Sequence, residues 1–129
     1  MDQAGPSGGG KSNDLGDRLT AFAARVVVYV DRMPRTLAGA YYAGQLLRSG
    51  GSPALHYGEA QGAESVSDFI HKCKIALKEL KESLVNLRIQ SLSKLMPPDD
   101  VDLLWLLDEC DQLIRIMGKI ISNSQRGGK

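Results

Sequence analysis

The chain of 129 residues is poor in the groups that build catalytic or metal centres, with two histidines, two cysteines, one tryptophan and only 5% aromatics. Cys73 and Cys110 are too few and too far apart for a disulfide framework, and each falls inside an apolar repeat, so reduced, buried thiols are expected. Without a Cys/His cluster, no structural metal and no cofactor is expected. No apolar run approaches the ~20 residues of a membrane span. Met1–Gly10 has neither the basic nor the apolar region of a signal peptide, so a soluble, cytoplasmic chain is the expectation. His56 and His71 have no serine, cysteine or carboxylate at a spacing that implies a proton relay. Glu59 and Glu64 read as solvated helix-end charges. A non-enzymatic protein follows.

One motif invites a different reading. Gly5-Pro6-Ser7-Gly8-Gly9-Gly10-Lys11-Ser12 fits the phosphate-loop pattern, and Val27-Val28-Tyr29-Val30-Asp31 resembles a strand ending in a metal-binding aspartate. That site needs a strand feeding the loop, and only four residues precede Gly5. Residues 1–13 are instead expected to form a flexible Gly/Ser-rich tail, as are residues 124–129, leaving 14–123 as one helical domain.

What the sequence has in quantity is helical periodicity. Leu15, Leu19, Phe22, Val26, Tyr29 and Met33 alternate steps of four and three, which predicts a first helix up to Pro34 despite the strand propensity of Val26–Val30. Val66, Ile70, Cys73, Leu77, Leu80, Leu84 and Leu87 predict another from about Ser65, a capping residue, to Leu95. After Pro97-Pro98, the acids Asp99, Asp100 and Asp102 favour a helix start. Its seam is Leu103, Leu106, Cys110, Leu113, Met117 and Ile120, beside a second stripe at Leu107, Ile114 and Ile121. The segment 35–61 is ambiguous: Leu37, Tyr41, Gly44 and Leu47 keep a helical spacing, yet Gly50-Gly51-Ser52-Pro53 reads as a turn. Either a kinked helix or two pieces fits.

Charge is distributed unevenly. The net charge is +1 overall, but +3 over residues 11–50, +2 over 62–95 and −2 over 97–129. Arg18, Arg25 and Arg32 recur every seven residues beside the first seam, and Lys74, Lys81 and Arg88 do so beside the third. These are the candidate nucleic-acid-binding residues, placed for phosphates or for ion pairs with acids such as Asp108 and Asp111. A solvated or ion-paired face is favoured over phosphate contact, because RNA binders carry more excess charge and more stacking aromatics. Trp105, with Leu107, Ile114 and Ile121, gives the last helix more apolar surface than one small bundle hides, which argues for self-association; a wide core within one chain is the competing reading. These residues are the candidate oligomer interface.

Finally, Gln45-Leu46-Leu47-Arg48-Ser49-Gly50-Gly51-Ser52-Pro53-Ala54-Leu55-His56-Tyr57-Gly58-Glu59-Ala60, followed by Ala63-Glu64-Ser65, Asp68-Phe69-Ile70-His71-Lys72 and Ile75-Ala76-Leu77-Lys78-Glu79-Leu80, resembles the four-helix bundle protein family. This is also called the 23S ribosomal RNA intervening-sequence protein family. The resemblance covers roughly Leu15 to Ser122. It implies an all-α, up-down bundle whose long, bent second helix contains the Gly-Ser-Pro segment, assembled as a homopentameric barrel. It further implies a bacterial, cytosolic protein without catalytic activity. A related branch comprises the accessory proteins of diversity-generating retroelements, which bind a reverse transcriptase and its RNA. His56 stands where the family usually has asparagine, and Pro53 lies one residue before its frequent proline. The matching polar residues Gln45, Arg48, Ser52, His56, Tyr57, Glu59 and Glu79 read as structural hydrogen bonds within or between subunits.

Overall fold

The computed structural model describes residues 14–127. It contains four helices, α1 (Leu15–Val30), α2 (Leu37–Gln61), α3 (Val66–Ser93) and α4 (Val101–Gly127), and no strand among the described residues. The expected tail at 1–13, with its phosphate-loop match, lies outside them.

Each helix begins where a side chain can satisfy its free N–H groups. Asp14 accepts from the Gly16 N–H, Thr36 from Gly39 and Ser65 from Asp68. The Asp100 carboxylate accepts from both Asp102 and Leu103 at the start of α4. These are the positions where Ser, Thr and Asp cap best. α3 ends on Lys94 in the left-handed conformation (φ 60°), and Pro97-Pro98 follow. α1 stops at Val30, short of Met33, which is nevertheless buried. α4 runs past the expected boundary at Asn123 to Gly127, because nothing there breaks a helix and Arg126 donates back to Ser122 and Asn123.

The ambiguous segment is one continuous helix with Pro53 inside it. Proline removes one backbone donor, and tertiary packing rather than propensity maintains the helix around it. Pro53 is buried beside Gly50, and a Cβ on Gly50 would sit 3.0 Å from a Val26 methyl. The small residues therefore let α2 press against α1. A Cβ on Gly39 would fall 1.9 Å from the Pro34 carbonyl oxygen, so the turn into α2 requires glycine there.

Each helix packs on its sequence neighbours, and α4 closes the ring on α1. The six seam residues of α1 are all buried. On α4, Ile121 rather than Ile120 closes the core. The buried face of α3 is rotated from the predicted one: Val66 is exposed and Ile70, Leu77 and Leu84 are half-buried, while Ala76, Ser83, Asn86 and Gln90 point inward. On α2 the predicted stripe Leu37, Tyr41, Gly44 and Leu47 faces outward; Leu46, Ser49, Gly50, Pro53 and Ala60 face the core.

The polar residues brought inside are paired, as low-dielectric surroundings demand. The Tyr29 hydroxyl donates to Gln90 Oε1 at 2.7 Å, Gln90 Nε2 donates to Asn86 Oδ1 at 2.7 Å, and Asn86 Nδ2 donates to the Tyr42 carbonyl at 3.1 Å. This chain ties α1, α3 and α2 together. The Ser49 and Ser83 hydroxyls meet at 2.8 Å. Cys73 and Cys110 are free, buried thiols. Burial pushes the Cys110 thiol up to about 12, which makes it inert at neutral pH.

Candidate interaction surface

The two basic stripes have different fates. On α1, Arg18 grips Glu109 at 2.7 Å, Arg25 bonds Asp102 at 2.8 Å, and Arg32 bonds Asp100 and Asp102, each at 2.9 Å. The whole stripe is thus engaged by α4. Hydrogen bonds from Arg32 and Arg25 hold the Asp100 and Asp102 carboxyls, respectively, below the usual aspartate range. The expected acids Asp108 and Asp111 are occupied elsewhere, by Gln112 and Arg115 on their own helix. On α3, Lys74, Lys81 and Arg88 are exposed and have no ion-pair partner among the described residues. Lys78, which the heptad reading passed over, joins them. Cation count alone could not separate the stripes; the acids across the α1–α4 seam do.

Of the family-motif residues, Arg48, His56, Glu59 and Glu79 link α2 to α3. His56 Nδ1 lies 3.0 Å from Glu79 and 3.2 Å from the Ser52 carbonyl oxygen. Lys72 bonds Glu59 at 3.0 Å, and Arg48 reaches Glu82 at 3.4 Å and Gln45 at 3.3 Å. Tyr57 is half-buried, and burial raises its hydroxyl pKa. No group of these could hold a metal: no cluster of three His, Cys, Asp or Glu side chains with that geometry occurs among the described residues. His71 stands exposed on α3.

The apolar surplus expected on α4 is partly taken up within the chain, while Val101 and Leu104 stay exposed. The Arg25 guanidinium lies 4.5 Å above the half-buried Trp105 ring. Leu107 and Ile114 pack on the core, and Ile121 is part of it. Apolar residues are exposed on every helix, among them Leu92 on α3 and Val101 and Leu104 on α4, but on α1 and α2 they stand with few charged neighbours. Between Asp17 and Asp31, the exposed positions of α1 are Thr20, Ala21, Ala24, Val27 and Val28. The exposed positions of α2 carry charge only at Arg48 and Glu59, both turned to α3 by their ion pairs. Leu37 is 92% and Leu55 70% exposed. Leu37, Gly44, Gly51 and Gly58 follow one another every seven residues, and a Cβ on any of these three glycines would meet nothing. The signal was in the sequence: 37–58 holds one charged residue, Arg48, in a chain that is 24% charged.

The four-helix bundle has a solved counterpart. The chain is similar to a protein of the S23 ribosomal protein family. That protein, from Bacteroides thetaiotaomicron, was solved by crystallography as a protein with unknown function; it superposes with a TM-score of 0.73 at 25% identity, over 83% of this chain and 97% of its own. No family model matches the sequence, and no curated protein matches it. The S23-family neighbour agrees with the resemblance read from residues 45–80. No described helix is long and apolar enough to cross a membrane.

Proposed function

We propose that the protein is a non-enzymatic scaffold or adaptor that works as a homo-oligomer, with the family resemblance pointing to a pentamer. The observation that carries this reading is the uncharged outer face of α1 and α2, with Leu37, Leu47, Leu55, Val27 and Val28 exposed. A leucine fully covered on assembly contributes about 1.5–3 kcal/mol, and the glycines of α2 let a second helix approach closely. Repetition of one chain around a ring would multiply a modest binding surface on α3 into an avid one.

The test is the mass of the purified chain by native mass spectrometry. Five copies, reduced by Leu47→Glu with Leu55→Glu while helicity persists, is the expected result; a monomeric wild-type chain would overturn the reading. A second reading is an accessory protein to a reverse transcriptase, with weak affinity for its RNA. Its support is the unpaired row Lys74, Lys81 and Arg88. A fall of log affinity for RNA with log salt, flattened by exchanging these three residues for glutamine, would favour it.

A further inference from the structure

Between α2 and α3 runs a groove of about 800 Å³ for which the scaffold role names no occupant. Leu77, Val85 and Ile89 form an apolar wall with Tyr41 and Tyr42, and Val85 is 54% exposed. Along the α3 side stand Lys74, Lys78 and Lys81, spaced i, i+4, i+7, with no ion-pair partner among the described residues. The acid in the lining, Glu82, is held by Arg48. The span of α3 from Lys74 to Ile89 corresponds to about 22 Å of helix.

We propose that this groove docks an acidic amphipathic helix of a protein partner. Apolar side chains at every third or fourth position of that helix would cover Leu77, Val85 and Ile89, and its Asp and Glu residues would pair with the lysine row. The assignment rests on the adaptor reading. Charge complementarity decides the occupant: Lys74, Lys78 and Lys81 fill the N-terminal half of the same α3 stripe that continues into Val85 and Ile89, so they select acids in matching register towards one end of the incoming helix and orient it. An RNA strand would satisfy the lysines but leave the apolar wall against phosphate and sugar.

The test uses the full chain and fluorescence anisotropy with two synthetic helical peptides of about four turns. Both carry leucines on one face; one is flanked by glutamates, the other by lysines. The glutamate peptide should bind, and the lysine peptide at least about tenfold more weakly. Lys78→Glu with Lys81→Glu, and separately Val85→Asp, should each weaken the glutamate peptide by about tenfold while circular dichroism and oligomer mass stay unchanged. Equal affinity for the two peptides, or indifference to the lysine reversals, would overturn the proposal. So would mixed-sequence single-stranded RNA binding more tightly than the glutamate peptide through the same lysines. A lower mass for Val85→Asp would overturn it in favour of a contact between copies. A monomeric wild-type chain that still takes the glutamate peptide would support the groove and sink the assembly reading alone.

Discussion

The outward faces of α1 and α2 differ from those of α3 and α4 in the one property that keeps a protein surface separate from other surfaces. Exposed positions of α3 include Lys74, Lys78, Lys81, Glu82 and Arg88, and those of α4 include Asp108, Arg115, Lys119 and Arg126. Those of α1 between its two end aspartates have no charge at all, and α2 contributes only two charges, both bonded to α3. All four helices use the same heptad seam to build the bundle, so the inward demand is common to them. The difference arises outside the core, where a solvated helix needs charge and an interfacial one needs smooth, small or apolar side chains. On the proposed reading, α1 and α2 serve assembly and α3 meets other partners.

Neighbouring glycines offer the sharpest way to break the contrast, and the largest effect. Gly50→Val should lower stability by about 2–3 kcal/mol in chemical denaturation, because its methyls have no room beside Val26. Gly51→Arg, one residue on, should leave the folded chain at least as stable, since glycine is the poorer helix former by about 1 kcal/mol. It should instead lower the oligomer mass. If both variants lost stability alike, α2 would not have the two faces described.

A second prediction concerns the polar core that both halves share. Gln90→Leu should destabilise by about 1–3 kcal/mol, because it strands the Tyr29 hydroxyl and one bond of Asn86 in a buried site. A loss confined to a few tenths would mean that the chain of bonds from α1 to α2 is dispensable. The third concerns acid. Asp100 and Asp102 have lowered folded-state pKa values, so their contribution is complete above the ordinary aspartate value of about 4 and disappears as pH falls through the lowered ones. Arg32→Gln should reduce this acid sensitivity near that pH, with an effect at neutral pH within about 1 kcal/mol for a pair so exposed. The smallest effect is expected on the charged side. Lys78→Glu should move neither mass nor stability by more than about 0.5 kcal/mol.

How far the sequence foretells this arrangement depends on the kind of signal. The α1 seam was legible to the residue, because large apolar side chains at four-three spacing have one way to pack. The α3 seam was misread by a fraction of a turn, because its inward face is built partly from Ser83, Asn86 and Gln90, which apolar periodicity does not count. The continuity of α2 was illegible to propensity, since Gly50, Gly51 and Pro53 stand for a turn unless a neighbouring helix needs them small; there the family resemblance supplied the continuous helix. The outward position of Leu37 and Leu47 is hidden in the sequence for the same reason: large residues mark a stripe, while the inner face is made mostly of small ones around Leu46. Ion pairing of Arg18, Arg25 and Arg32 is one of the uses their spacing allows, beside plain solvation, and its partners depend on the register of α4, which only packing defines.

The mass of the Leu47→Glu, Leu55→Glu variant beside that of a Trp105→Glu variant, with helicity recorded on each, tests the central claim most directly. The account predicts that the α2 pair abolishes the oligomer with helicity retained, while Trp105→Glu, which disturbs the Arg25 stack and the packing beneath it, lowers stability without a specific loss of subunits. An intact oligomer in the α2 variant, with dissociation in the Trp105 variant, would contradict it and return the interface to α4.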